Sequence, residues 1–261
     1  MRPGADDSRR EVARGCRHLA ASGRLGADAV GMLLPEPTSG VVWNANRGAI
    51  SLRITVKGKP AHVGLQHLGR NAFEAMLGVA GRLTDLKREV ERQETGFTIE
   101  PAAARRSILM LGGRVEGGSN YNLVPGECVF TVDRRMNPEE DLDEARRQLF
   151  DVLDAARDDG VDLEVEVIQE GRSSGTPADD DLARALAANI EEVTGAPARF
   201  ELCPGLLEIR FYAERGVPAL AYGPGLLSVS HGPNEFVKLE DVYQAAAVYA
   251  LTVADLLTEP R

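Results

Sequence analysis

The 261-residue sequence has no HxD pair, no HExxH and no comparable short-range cluster of metal ligands, and only four of its residues are histidine. Cysteine is scarce too. Cys16, Cys128 and Cys203 are odd in number and show no CxxC spacing, which argues against a disulfide framework or a thiolate metal site and fits a reducing compartment, so a cytoplasmic protein is expected. Positive charge is in deficit: 30 Lys and Arg face 40 Asp and Glu, a net charge of −10 that opposes binding to nucleic acid or an anionic membrane. No apolar run is long enough to span a bilayer, and the N-terminal MRPGADDSRREVARG is charged where a signal peptide carries an apolar stretch. Internal repeats and low-complexity tracts are missing as well. At 43% apolar residues, what is present suffices for a buried core and two domains.

Hydrophobic periodicity organises the middle of the chain. Ile50, Leu52, Ile54 and Val56 alternate with polar residues, predicting a strand with one buried face that ends at Gly58. Ala72, Met76, Val79, Leu83, Leu86 and Val90 recur at steps of four and three, the stripe of an amphipathic helix. Ile108–Val115 and Glu127–Val132 read as strands around the loop EGGSNYNLVPG. Asn137 as N-cap, Pro138 at the first helical position and Glu140 in a capping box predict a helix to about Arg157, and Leu163, Val165 and Val167 predict a further strand. Strand, helix, strand, strand, helix, strand is the ferredoxin-like βαββαβ order, so residues 47–169 are expected to form an α+β domain. It is inserted into α/β layers formed by residues 1–46 and 170–261. QEGRSSGTPADDD reads as a linker, Leu182–Val193 as a helix, VPALAYGPG as a short buried strand ending in a Gly-rich turn, and Val237–Leu257 as a closing helix.

Two side chains stand where ligands collect. Glu36 lies between two prolines just after the apolar AVGMLL, at the end of a predicted buried strand, where α/β folds place their sites. His231 lies in the loop GPGLLSVSHGPNEF before the last helix, and a loop imidazole can offer a neutral nitrogen to a cation. Carboxylate with imidazole suits zinc, cobalt or manganese better than calcium. Taken singly, Glu36 reads first as a surface turn carboxylate and His231 first as a helix-capping or exposed loop histidine.

Several linked stretches carry a resemblance. GADAVGMLLPEPTSGVVWNANRGAISLRITVKGKPAHVGLQHLGRNAFEAM, SNYNLVPGECVFTVDRRMNPEED, GVPALAYGPG and SHGPNEFV occur in that order. Together they resemble the zinc-dependent amidohydrolase and peptidase family that includes acetylornithine deacetylase, succinyl-diaminopimelate desuccinylase, aminoacylase and glutamate carboxypeptidase, from about Gly26 onward. The resemblance implies an α/β catalytic domain holding two metal ions and a ferredoxin-like lid that mediates homodimerisation. It implies that Glu36 of the EPT motif binds one zinc and His231 the other. It further implies that His62 in GKPAHVG helps stabilise an oxyanion, and that Asn122 in NLVP and Arg135 in DRR hold a substrate carboxylate. Arg210 in GLLEIRF aligns with the arginine of a GGTxDxR-like motif, although GLLE departs from GGT.

The same resemblance sets out what the front of the chain lacks: an HxD motif, a bridging aspartate and a Glu-Glu pair whose first member is the general base. His18 sits in a helical stretch where the family shows no ligand, and Asp6 with Asp7 reads as a solvated acidic pair. The expectation is therefore a C-terminal two-thirds of a metal-dependent hydrolase of N-acyl amino acids or small peptide-like amides, binding zinc weakly by itself. The rival is a non-catalytic remnant that dimerises or binds an amino-acid-like ligand.

Overall fold

The computed structural model describes residues 14–230 and 232–258, so Asp6, Asp7 and His231 lie outside the described residues. In chain order the elements are α1 Arg14–Ala21, β1 Met32–Leu34, β2 Val42–Asn46, β3 Gly48–Lys57, α2 Ala72–Val90, β4 Ile108–Gly117, β5 Glu127–Met136 and α3 Leu142–Asp158. These are followed by β6 Asp162–Gly171, β7 Ser174–Gly175, α4 Asp181–Thr194, β8 Phe200–Cys203, α5 Ile209–Ala213, β9 Ala219–Ala221 and α6 Leu239–Thr258. Among the described residues, Gly48–Thr95 and Arg106–Arg172 form one compact unit; residues 14–47, Gly96–Arg105 and residues 173–258 form the second.

The first unit is a four-stranded antiparallel sheet in the order β4-β5-β3-β6, the ferredoxin-like arrangement. Alternation decides its faces. Ile50, Leu52, Ile54 and Val56 of β3 and Cys128, Phe130, Val132 and Met136 of β5 are buried against α2 and α3 in one continuous cluster with Leu83, Leu149 and Leu153. The opposite face carries charge: Arg53 pairs with Glu166 at 2.8 Å and Lys57 pairs with Glu164, cross-strand neighbours between β3 and β6. In α2 the Asn71 side chain accepts from the N–H groups of Phe73 and Glu74, so the N-terminal donors are satisfied and the buried stripe begins at Ala72.

One charged side chain belongs to this core. Arg134 continues the inward series of β5 and is 1% exposed, donating to Glu140 at 2.9 Å, to Gln148 at 2.7 Å and to the Ala145 carbonyl at 3.2 Å. That pair explains a difference from the expected start of α3. The Asn137 N–H does donate to Glu140 Oε1 at 2.8 Å, half of the predicted capping box. Glu140, however, is held by Arg134 and Ser107, so residues 137–140 close a turn and the N-cap of the helix falls four residues later, at 141 instead of 137. Its N-cap is Asp141, which accepts from the N–H groups of Asp143 and Glu144, both at 2.9 Å.

The second unit is built on a five-stranded sheet in the order β1-β9-β2-β7, with β8 also paired to β2. β1 runs parallel to β9 and β2 parallel to β8. Successive residues again face opposite ways. Val42, Leu220 and Tyr222 pack on α4 and α6, and Val41, Trp43, Ala219 and Ala221 pack on α5 and the residues leading into it. Asp180 caps α4 through the Leu182 N–H, and Gly195 ends it in the left-handed region at φ +72°, which only glycine enters without strain.

Two boundaries differ from expectation. Residues 96–105 fall inside the predicted 47–169 domain but cluster with the second unit, because Phe97, Ile99 and Ala104 pack against Ala45 and Leu202, and the Leu202 N–H donates to the Thr98 carbonyl at 2.7 Å. The stretch read as a linker is partly strand: β6 runs to Gly171, and Ser174–Gly175 pair with β2. Backbone pairing overrides a composition that otherwise signals a loop. No helix among the described residues is long and apolar enough to cross a membrane.

Candidate active site

Glu36 follows β1, whose parallel partner β9 leads into Tyr222-Gly223-Pro224-Gly225. Both strands end at the same side of the sheet, and the two loops leaving them are joined by backbone hydrogen bonds. The Tyr222 N–H donates to the Leu34 carbonyl at 3.0 Å, the Thr38 N–H to Gly223 at 3.4 Å and the Ser39 N–H to Gly225 at 3.1 Å. The fully buried Thr38 hydroxyl accepts from the Gly223 N–H at 3.3 Å, and Ser39 Oγ accepts from the Leu227 N–H at 2.9 Å. Gly223 lies directly on the Pro35–Glu36 backbone: a Cβ there would stand 2.5 Å from the Glu36 carbonyl oxygen and 2.6 Å from the Pro35 carbonyl carbon. Only glycine permits that approach.

His231 itself lies outside the described residues, but the chain on both sides of it returns to this place. Leu227 is tied to Ser39, and a Cβ at Gly225 would lie 3.3 Å from Pro37 and 3.7 Å from Val237. The EPTS loop and the segment that brackets His231 therefore share one end of the sheet. Cys203, at the end of β8, is buried, and burial, with the Glu36 carboxylate adding to it, pushes its thiol up to about 12. Among the described residues no three His, Cys, Asp or Glu side chains are grouped to hold a metal ion. Zinc takes three or four protein ligands. Glu36, even with His231 added, does not complete such a set.

Of the three residues expected in the first unit, the structure brings two together. His62 and Asn122 sit on facing loops: His62 bridges to Leu123, the Val63 N–H donates to the Asn122 carbonyl at 2.9 Å, and the Val124 N–H to the Ala61 carbonyl at 2.8 Å. His62 is exposed, and Asn122 is partly buried. Arg135 is elsewhere. It lies near the far end of β5, and eight residues of strand from Glu127 span about 26 Å. There its guanidinium holds Asp133 through two bonds of 2.6 and 3.1 Å, and Asp133 also accepts from Ser51 at 3.0 Å.

Arg210, in the second unit, is 3% exposed. Its guanidinium lies 4.2 Å from the centre of the Phe211 ring and donates to the Leu207 carbonyl, and burial is the main cause that lowers its pKa. The structure thus gives both arginines protein partners. Two residues that the sequence reading passed over, Thr38 and Gly223, prove to hold the Glu36 loop in place. Their only signal was membership of the EPT and YGPG stretches.

A peptidase dimerisation domain matches residues 44–161. Acetylornithine deacetylase of Myxococcus xanthus is 28% identical over 224 residues, covering 85% of this chain and 56% of its own length. Succinyl-diaminopimelate desuccinylase of Nitrosomonas europaea is 28% identical over 231 residues, covering 86% of this chain and 57% of its own length. The chain thus spans a little over half the length of these curated relatives. A tripeptidase structure from Staphylococcus aureus shares the fold with a TM-score of 0.70 at 17% identity, over 94% of this chain and 61% of the other. The ferredoxin-like unit, the EPTS and YGPG loops at one sheet end and these likenesses agree: the chain carries a peptidase dimerisation domain over residues 44–161 and is similar over most of its length to a deacetylase and a desuccinylase.

Proposed function

We propose that the protein hydrolyses amide bonds in N-acyl amino acids or small peptide-like substrates, with the second unit as part of a catalytic domain and the first as a lid through which two copies pair. The observation that carries this reading is the joining of the Glu36 loop to the loop that leads to His231, at the end of parallel strands where α/β folds collect ligands. The relatives' names, a deacetylase and a desuccinylase, support removal of an acyl group from an amine. The peptidase dimerisation domain match supports a homodimer.

Glu36 and His231 are assigned as donors to a divalent cation, zinc before cobalt or manganese, completed by ligands outside the described residues. Held there, a cation would supply polarisation of a carbonyl and a lowered pKa of bound water. His62 is assigned to donate a hydrogen bond to the carbonyl oxygen as charge develops on it, and Asn122, beside it, to orient the substrate. Arg135 and Arg210 are assigned to the substrate carboxylate by resemblance, each exchanging its present partner, Asp133 or the Leu207 carbonyl, for substrate.

The test is hydrolysis of N-acetyl and N-succinyl amino acids with zinc supplied, following release of the free amine. Turnover is expected in the wild type, and Glu36→Gln is expected to lower it by about 100-fold or more. An absence of turnover in the wild type would leave a protein that dimerises or binds amino-acid-like ligands without hydrolysing them. An equal rate in Glu36→Gln would remove Glu36 from the reaction.

A further inference from the structure

We infer that the backbone N–H of Gly64 fixes the neutral His62 imidazole in its Nε2–H tautomer, with Nδ1 as acceptor and Nε2 as the donor, making Gly64 a positioning residue for that ring. The Gly64 N–H donates to His62 Nδ1 at 3.2 Å. A ring atom that receives an N–H must present a lone pair, so Nδ1 carries no proton, and the single proton of a neutral imidazole resides on Nε2. Turning the ring over would aim a C–H at the same N–H, so one contact selects both the orientation and the tautomer.

The backbone beneath is pinned from several sides. His62 has φ −64° and ψ 141° at the head of the turn Val63–Leu68, and its carbonyl accepts from the Leu65 N–H at 2.7 Å. The bridge to Leu123 and the bond from Val63 to Asn122 hold that turn to the facing loop. With Nδ1 engaged, Nε2 is the ring nitrogen left to donate. Nε2 has no hydrogen-bond partner among the described residues.

For catalysis the inference rests on the oxyanion role proposed above for His62, and it sharpens that role. The donor keeps its proton: the carbonyl oxygen accepts a hydrogen bond from Nε2–H and no bond to hydrogen is broken.

The experiment is long-range ¹H–¹⁵N NMR of the full chain at a pH about two units above the ordinary histidine range, with His62 assigned from a His62→Gln sample. The expected result is a protonated Nε2 and an unprotonated Nδ1 in the wild type and in Gly64→Ala, which keeps the N–H and whose Cβ meets Nδ1 at an ordinary 3.4 Å. Gly64→Pro, which deletes the N–H in the first turn where proline is tolerated, should raise the Nδ1–H share toward that of a free imidazole. A proton on Nδ1 in the wild type or in Gly64→Ala overturns the inference, as does an unchanged tautomer in folded Gly64→Pro. Kinetics separate it from the catalytic reading. His62→Asn, whose amide reaches only the Nδ1 position, should lose about 100-fold or more in kcat with little change in KM, while His62→Gln, whose NH₂ reaches the Nε2 position, should retain most of it. Equal rates in both variants with the tautomer intact would overturn the oxyanion role and leave the Gly64 contact standing.

Discussion

The two units hold together in different ways. The first has a single continuous core, in which both central strands and both helices contribute side chains at regular spacing. The second divides its buried apolar residues among three separate clusters, and the connection that matters for its site is made by backbone N–H and carbonyl groups of Pro35–Ser39 and Tyr222–Leu227. Side-chain burial is forgiving of small changes in shape, whereas a backbone approach such as that of Gly223 tolerates no added atom. A regular core suits a platform for pairing and for presenting His62. A set of loops fixed by their backbones suits the exact placement of one carboxylate.

Trp43, the single tryptophan, is buried in the second unit and reports its unfolding separately from far-UV measurements on the whole chain. The largest effect is expected from Glu140→Ala. It leaves the Arg134 guanidinium buried without its carboxylate and should cost about 3–5 kcal/mol in urea unfolding, with the Trp43 transition moving less than the far-UV signal. Equal movement of both signals would mean that the units unfold as one block and would end the comparison. Next comes Gly223→Ala, expected to destabilise by about 1–3 kcal/mol and to move the Trp43 transition most. A silent Gly223→Ala would show that the two loops part easily.

Alkaline unfolding should follow the second unit. Burial pushes Cys203 and the Tyr249 hydroxyl up to about 12, from ordinary values near 9 and 10. The native state therefore holds protons that the unfolded chain releases, so this contribution is complete below about pH 9 and is lost as pH rises toward 12. Stability measured by Trp43 fluorescence should fall across that window, and Cys203→Ala should flatten the fall; an equal slope in the variant would contradict the assignment. The smallest effect is expected on the solvent face of the first unit, where breaking the Arg53–Glu166 pair with Arg53→Ala should change stability by less than about 1 kcal/mol, since both side chains are at least 36% exposed.

The same contrast explains what could be read from the sequence. The order of the first unit, its buried faces and the stripe of α2 follow from periods of 2 and 3.6, and Ile50, Leu52, Met76 and Leu83 are buried as the pattern requires. The start of α3 escapes the capping rule because Glu140 has a second attachment, to Arg134 six residues earlier on β5, that the rule does not include. Residues 96–105 were assigned to the wrong unit because Phe97 and Ile99 pack on strands distant in sequence. The place of Glu36 just past the end of β1 follows from the apolar stretch before it. The partners of Arg135 and Arg210 depend on a neighbouring side chain and a ring stack that only coordinates show.

The central claim is that Glu36, on the loop that Gly223 holds, donates to a divalent cation. Thermal unfolding of the full chain, followed through Trp43 with and without saturating zinc, tests it most directly, because a ligand that binds only the folded state raises its stability. The account predicts that zinc raises the midpoint of the wild type and raises that of Glu36→Gln by clearly less. An identical zinc-induced shift in the two proteins would contradict it.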